Sequence, residues 1–305
     1  MKSKIWFALI TLYIVWGSTY LGIKVAIETI PPFFQGALRF LISGLIILIW
    51  QKSSGQAMPT RKQWISTFII GTLLLLGGNG LVSWAEQFIP SGIAALIIAT
   101  VPLWLVIMEA IRPGGIKPTW QAIVGLVIGF VGIFILAGPA EISGSKTNLD
   151  TFGVVALLFA TLLWALGSIY SKSADLPKAS MVTTGAEMLM GSIGLMVVSL
   201  LTGELHGWDP SGISARSIGG VIYLILIGSI AGFGSYIWLL QNAPISLVAT
   251  YAYVNPIVAV ILGYLFANEP LEPRTWIAAA IIIGAVIFIN SKGKPKVQKE
   301  AIIAE

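Results

Sequence analysis

The sequence predicts an all-α integral membrane protein whose ten transmembrane helices form two inverted repeats of five helices each. Two features of composition lead to this prediction: 56% of the 305 residues are hydrophobic, and only 10% are charged. A soluble domain carries about 25% charged residues, so this chain lacks the polar surface that a soluble protein of its size needs. The composition excludes a cytosolic enzyme, a disordered regulator and a coiled coil.

Runs of about 20 apolar residues are long enough to cross the hydrocarbon core of a bilayer. Ten such runs are predicted, and none of the gaps between them is long enough for a soluble domain. The first run follows Lys2 and Lys4 but is too long for a signal peptide and lacks a cleavage site, so it is expected to remain as a helix. The predicted spans are 5–25, 33–51, 64–84, 91–111, 118–138, 150–171, 180–202, 217–240, 245–267 and 273–291.

Basic residues predict the orientation of these spans. With a cytoplasmic N-terminus, 13 lysines and arginines fall in inner segments, whereas only Lys146, Arg216 and Arg274 fall in outer ones. Basic residues favour the cytoplasmic side, so both termini are predicted to be cytoplasmic. Because the basic residues lie in short gaps between apolar runs and not on one soluble face, a nucleic acid partner is not expected.

An internal repeat divides the chain into residues 1–140 and residues 148–292, followed by a basic cytoplasmic tail at 293–305. Trp16 recurs as Trp164 after 148 residues. Four residues recur after 154 residues: Trp84, Gln87, Pro90 and Pro102 return as Trp238, Gln241, Pro244 and Pro256. Because each half has an odd number of spans, the second half enters from the opposite side. Inverted repeats of this kind are typical of carriers that bind substrate near the midplane.

Several motifs carry a family resemblance over essentially the whole chain. The first predicted span contains "WGSTYLGIK" and the second contains "ALRF". The Gln-x-x-Pro pattern occurs twice, and "NEPLEPRTW" leads into the last predicted span. The sequence resembles the drug/metabolite transporter superfamily, in particular EamA-type exporters with two EamA units and their YedA-like branch. The resemblance implies a bacterial inner-membrane carrier that moves amino acids, related metabolites or drugs outward.

Charged residues inside spans are candidates for the transport site because burying them in hydrocarbon is costly. Arg39 and Glu187 lie inside the second and seventh spans, 148 residues apart. Since an inverted repeat puts them on opposite sides of the midplane, their depths should differ by about 10 Å and a direct ion pair is not favoured. Arg39 either binds an anionic group of the substrate, or extends outward or pairs with acids of the loops, and Glu187 is a candidate proton or amine site. Lys24 is expected to extend towards the interface. Glu86 is expected to lie in an outer loop, and the alternative is that it lines the mouth of the cavity.

Pro102 and Pro256 are predicted to lie in the middle of their spans and to act in gating. Each proline removes a hydrogen bond from the carbonyl four residues earlier and so kinks the helix. The alternative is a kink that serves packing only. Gly228 and Gly232, four residues apart, predict a surface for close helix packing.

Aromatic and polar side chains complete the predicted substrate site. Aromatic faces attract organic cations and tolerate varied apolar groups, and the alternative is that these side chains only pack. Buried amides bind either the substrate or a neighbouring helix. The hydroxyls bind either the substrate or the backbone of their own helix. The predicted set, with Arg39 and Glu187, is Trp16, Ser18, Tyr20, Asn79, Trp84, Trp164, Ser168, Trp238, Tyr251, Tyr253 and Asn255.

Several activities are not expected. The chain has no cysteine, no P-loop motif and a single histidine, so neither a cofactor nor a metal site is predicted and an enzyme is disfavoured. The predicted function is secondary export of small organic solutes, most favourably amino acids or related metabolites, by alternating access, with protons as a candidate coupling ion. The alternatives are a multidrug or organic-cation exporter and, in a different class, a membrane receptor or scaffold that transports nothing.

Overall fold

A computed structural model describes residues 2–111, 118–137, 149–242 and 251–290, and these ranges are helical, with no β-strand. We label the helices in chain order and give the two helices that contain π-helical segments as single elements. They are α1 (Lys2–Ala26), α2 (Pro32–Ser53), α3 (Arg61–Ala85), α4 (Ser91–Ile98), α5 (Val101–Ile111), α6 (Trp120–Ala137), α7 (Thr151–Ser171), α8 (Ser180–Leu201), α9 (residues 215–242), α10 (Tyr251–Ala267) and α11 (Pro273–Asn290).

Seven helical segments of the described ranges are long and apolar enough to cross a membrane, and three shorter apolar helices accompany them. Phe7 and Phe152 are 76% and 77% exposed, which suits a surface that faces lipid. The prediction of an all-helical membrane protein is therefore confirmed. The count of ten crossings and the inverted relation of the halves remain predictions. The basic tail at 293–305 lies outside the described residues.

π-Helical segments interrupt α3 and α9 at corresponding places in the two halves. Thr72–Gly80 is π-helical within α3, and Leu224–Ala231 is π-helical within α9. The two segments lie about 152 residues apart, close to the spacing of the repeat. Short π segments inside α-helices are frequent at functional sites. The hydrophobic pattern predicted both spans but not this change in helix type.

The predicted fourth span is two helices. The chain turns at Ala99 and Thr100, between α4 and α5, so Pro102 is the second residue of α5 and does not lie inside a continuous helix. The expected interruption of the span beside Pro102 is present, but it is a turn between two helices and not a kink within one continuous helix. Proline fits the first turn of a helix, where its missing N–H removes no intrahelical bond. Pro256, by contrast, lies inside α10 as predicted.

The two halves exchange their first helices. Helix α1 packs against α9 and α10, which belong to the second half, while α7 packs against α3, α4 and α5 of the first half. Helix α2 pairs with α8, and α6 pairs with α11. The α2–α8 contact is close, because a Cβ on Gly44 would lie 2.9 Å from the carbonyl oxygen of Gly185. The main core, which includes Ile97, Leu157 and Ile282, therefore draws on both halves.

Candidate functional site

Arg39 is the cation that α2 holds in the interior. Its side chain is 5% exposed, and Nε donates to Ser229 Oγ at 3.1 Å. Ser229 belongs to the π segment of α9, and a Cβ on neighbouring Gly228 would lie 3.6 Å from a guanidinium nitrogen of Arg39. Arg39 thus joins α2 of the first half to α9 of the second, and it does not extend outward. No ion pair between Arg39 and Glu187 is present in the described structure, which agrees with the expected difference in depth.

Glu86 lies in the turn between α3 and α4, as predicted, but it is buried there. The residue follows the last residue of α3 and is 0% exposed. Neither carboxylate oxygen has a hydrogen-bond partner among the described residues. Burial raises the pKa of the Glu86 carboxyl well above its usual range, while Lys24 and Arg39 act in the opposite direction. Chain order predicts the loop, but the packing of the halves around this turn determines the burial.

Lys24 contacts the same turn. Its Nζ donates to the backbone carbonyl of Glu86 at 2.5 Å, so the amine does not extend freely to the interface as expected. Lys24 and Arg39 both interact electrostatically with the Glu86 carboxyl. Two cations from α1 and α2 therefore surround one buried acid at the end of α3.

Tyr20 lies beside Glu86 and connects it to Tyr251. Tyr20 of α1 interacts electrostatically with Glu86 and with Tyr251 of α10. Two residues earlier on α1, the Ser18 hydroxyl lies 2.5 Å from the Tyr223 hydroxyl of α9. Ser18, Tyr20 and Tyr251, all predicted from the sequence, thus line the junction of α1 with the second half.

An aromatic cluster lies deeper along α1. Trp16 packs against Phe233, Tyr236 and Tyr251, with ring centroids 5.3, 5.2 and 5.1 Å away. A Cβ on Gly232 would contact Trp16 Nε1, so a glycine is needed for the indole to lie against α9. The close-packing surface predicted at Gly228 and Gly232 is therefore confirmed.

The predicted residues of α3 and α7 form a separate group related to this one by the repeat. Trp164, the counterpart of Trp16, lies against Gly78, where a Cβ would be 2.5 Å from Cε3 of the indole. Gly78 precedes Gly232 by 154 residues, so each tryptophan packs on the equivalent glycine of the other half. Asn79 Nδ2 donates to the Leu74 carbonyl at 3.5 Å, and Ser168 Oγ donates to the Trp164 carbonyl at 2.8 Å.

The remaining predicted residues differ in their surroundings. Trp84 packs against both larger hydrophobic clusters. Glu187 lies on α8 beside α3, where its backbone carbonyl meets Gly71. The Asn255 amide donates to the carbonyls of Tyr13 and Tyr251 at 3.2 and 3.1 Å and so ties α10 to α1. Trp238 packs with the small cluster formed by α1 and α9. The Tyr253 side chain lies outside the described part of the structure.

One end of the molecule is held closed by contacts between the halves, and we call it the latched face (residues 24–34, 86–92, 204–217 and 269). Glu204 accepts hydrogen bonds from the backbone N–H groups of Phe33 and Phe34, at 3.3 and 2.7 Å, and so caps α2. Trp208 Nε1 donates to the Thr29 carbonyl at 2.9 Å. Ser217 Oγ donates to the Val25 carbonyl at 2.9 Å. The second half thereby covers the ends of α1 and α2.

Glu269 completes the latched face. Its carboxylate accepts hydrogen bonds from the backbone N–H groups of Ser91 and Gly92, at 2.6 and 3.1 Å, at the start of α4. A carboxylate at a helix N-terminus satisfies free donors and interacts favourably with the helix dipole. Two acids of the second half, Glu204 and Glu269, thus cap two helices of the first.

Sequence reasoning missed Ser229, Glu204 and the importance of Glu86. A serine in an apolar run and an acid in a loop carry no distinctive signal. For Glu86 a signal exists, because the repeat aligns it with Leu240, 154 residues later. The two copies of this segment share the tryptophan, glutamine and proline, and only the first copy carries an acid.

A helical membrane protein with ionisable groups buried where two halves meet has the design of a solute carrier. Residues 3–138 and residues 151–291 each match the EamA-like transporter family. The chain belongs to this family, and the predicted resemblance is confirmed.

Individual relatives agree with this assignment. The inner membrane transporter YedA of Escherichia coli (strain K12) is 38% identical over 93% of this chain and 89% of its own length. The transporter YoaV of Bacillus subtilis (strain 168) is 23% identical over 94% of this chain and 97% of its own length. A crystal structure of a protein that is 19% identical has a TM-score of 0.62 over 94% of this chain and 96% of that chain, which shows a shared fold.

Proposed function

We propose that this protein is a secondary transporter of the inner membrane that exports small organic solutes, most favourably amino acids or related metabolites, by alternating access. The observation that carries the proposal is the buried Arg39, which bonds Ser229 across the junction of the halves beside Glu86. A buried cation that touches both halves is able to bind the carboxylate of a solute and to respond to their relative movement. YedA, the 38% identical relative, is an inner membrane transporter by name.

The proposed architecture is ten crossings in two inverted units, residues 1–140 and 148–292, with both termini cytoplasmic. The reciprocal packing of α1 and α7 supports a two-fold relation between the units, as does the pair of tryptophan–glycine contacts. With this orientation the latched face is the outer face, so the structure represents a state closed to the outside. Rocking of one unit against the other then opens and closes the two sides.

Substrate recognition follows from two neighbouring environments. Arg39 binds an anionic group, and the aromatic cluster around Trp16 accommodates an apolar or cationic portion. We propose Glu187 as a second polar contact, and Pro256 as a gating position within α10. Export of organic cations or drugs is the second candidate, favoured by the three rings against Trp16 and independent of Arg39.

Flux in proteoliposomes tests the proposal. The purified protein is expected to give saturable counterflow of a radiolabelled amino acid drawn from a panel, and Arg39→Lys, which loses the planar fork of donors, is expected to reduce it at least about tenfold. Glu187→Asp and Glu187→Gln test the second contact. Ser53→Ala, at an exposed end of α2, serves as the control. No saturable flux for any amino acid, metabolite or organic cation would support a receptor or scaffold. Flux of organic cations that is unaffected in Arg39→Lys would favour the drug exporter.

A further inference from the structure

The Glu86 carboxyl is a titratable group buried within the latched face. It is 0% exposed, and neither oxygen accepts a hydrogen bond. The free-energy cost of burying an ionised carboxylate without hydrogen bonds is several kcal/mol or more, so such a group tends to be neutral or paired. Glu269, an acid that interacts electrostatically with Glu86, differs because its two oxygens accept hydrogen bonds from backbone N–H groups of α4.

Within the described ranges, the charged and titratable groups that interact with Glu86 come from three elements. Lys24 and Tyr20 face it from α1, Arg39 from α2, and Glu269 from the segment after α10. Lys24 donates to the backbone carbonyl of Glu86 and Arg39 donates to Ser229, so neither cation forms a hydrogen bond with the carboxylate itself. The carboxyl is thus positioned to hold a proton while the surrounding cations remain engaged elsewhere.

We infer that Glu86 is a proton-binding site whose occupation stabilises the closed state of the latched face. When the face is open, water reaches the carboxylate. The carboxylate then takes one proton from water to become a carboxylic acid, and the face closes over the neutral group. Deprotonation returns the proton to water and leaves a charge whose burial disfavours closure. No other bond is made or broken.

The sign of the pH effect follows from linkage. Since burial raises the pKa of the carboxyl in the closed state, that state binds the proton more tightly than an open, hydrated state does. Protonation therefore favours closure, and the preference is lost as the pH rises through the raised pKa. A pKa difference of one between the two states changes their ratio by at most about tenfold. The inference rests on the proposed alternation between closed and open states.

The absence of cysteine from the whole sequence provides the test. In the purified full-length protein in nanodiscs, Ser217→Cys places a single thiol at a position that is 0% exposed on the closed latched face. The thiol is a weaker donor to the Val25 carbonyl than the serine hydroxyl, so every comparison is made within this background. The rate of maleimide labelling reports opening. Ala215→Cys, at an exposed position of the same helix, gives the intrinsic pH dependence of maleimide labelling. The labelling rate of Ser217→Cys at each pH is divided by the rate of Ala215→Cys at that pH.

The normalised rate for Ser217→Cys is expected to rise at least about fivefold from pH 5.5 to pH 8.5. Adding Glu86→Gln, which is neutral at every pH, should give a rate that is low and independent of pH. Adding Asp175→Asn, an acid-to-amide change at an exposed site, should preserve the rise. A rise that persists in Glu86→Gln, or its absence from the parent protein, would overturn the inference.

If Glu86→Gln does not purify as a monodisperse protein, Glu86→Asp carries the test. Its shorter side chain occupies a different position among Lys24 and Arg39, so the midpoint of the pH response should move. An unchanged midpoint would contradict the inference. Solute flux is measured separately. Solute flux without a Glu86-dependent labelling response would overturn this inference and leave the proposed function standing. A Glu86-dependent labelling response without any solute flux would support this inference and count against the proposed function.

Discussion

Arg39 Nε donates to Ser229 Oγ at 3.1 Å, and this hydrogen bond joins the second helix of one half to the π segment of the other. Both side chains are buried, with exposures of 5% and 0%. The guanidinium therefore has few alternatives to the serine hydroxyl when solute is absent. This bond makes Arg39 a part of the contact between the halves as well as a candidate ligand.

Ser229→Ala is expected to lower the thermal stability of the purified protein because it leaves a buried guanidinium donor without its acceptor. Loss of a hydrogen bond to a charged group costs about 1.5–3 kcal/mol. Ser53→Ala, at an exposed residue whose hydroxyl bonds only the Trp50 carbonyl of its own helix, is the matched control and should change little. Tryptophan fluorescence melting curves give the comparison, and equal midpoints for the two variants would contradict the assigned contact.

The two tryptophan–glycine contacts predict a matched pair of destabilising substitutions. Gly78→Ala places a Cβ 2.5 Å from Cε3 of Trp164, and Gly232→Ala places one against Trp16. Overpacking of this kind costs about 1–3 kcal/mol.

Gly234→Ala is the control for these two substitutions. Gly234 lies on α9 with Gly232, but a Cβ on Gly234 would have no atom within 4 Å. It should be neutral or slightly stabilising, since alanine favours a helix over glycine. Chemical denaturation in detergent would measure all three variants. Equal changes in all three variants would contradict the assigned contacts with the tryptophans.

The cap on α2 predicts a role for Glu204 in keeping the latched face closed. Glu204→Ala removes the acceptor of two backbone N–H bonds, and loss of a helix cap costs about 0.5–2 kcal/mol. We expect the variant to increase maleimide labelling of Ser217→Cys at neutral pH by severalfold.

Asp209→Ala supplies the control for Glu204. Asp209 is an exposed acid of the same loop, and its hydrogen bonds run only to Ser211 within its own turn. These bonds hold the pKa of Asp209 below its usual range without joining the two halves. Labelling that increases equally in both variants would indicate general loosening of the loop and not the loss of a cap.

The sequence predicted the spans and the repeat because both follow from local chemistry, namely apolar runs and rare residues at fixed spacing. It also placed Trp16, Tyr20 and Arg39 on helices that meet the other half. It did not predict that Glu86 is buried, because that depends on α1, α2 and the segment after α10 closing over one turn. The π segments were missed for a related reason, since their apolar pattern does not distinguish π from α geometry.

Substitution of Pro102 and of Pro256 by alanine should change stability unequally, although the two prolines occupy equivalent places in the repeat. Pro102 lies in the first turn of α5, where the backbone N–H of an alanine has no intrahelical acceptor, so Pro102→Ala should change stability by less than about 1 kcal/mol. Pro256 lies six residues into α10, and Pro256→Ala supplies a donor for the carbonyl of Ala252, which straightens and stabilises the helix.

If bending at Pro256 serves gating, Pro256→Ala raises the melting temperature while it lowers the maximal rate of solute counterflow, and Pro102→Ala leaves both near those of the parent protein. A stabilised Pro256→Ala with undiminished flux would assign this proline to packing alone. Loss of flux in Pro102→Ala without loss of stability would instead place the moving element at the turn between α4 and α5. The two measurements together decide which half supplies the hinge, because stability reports the restored hydrogen bond and flux reports the movement.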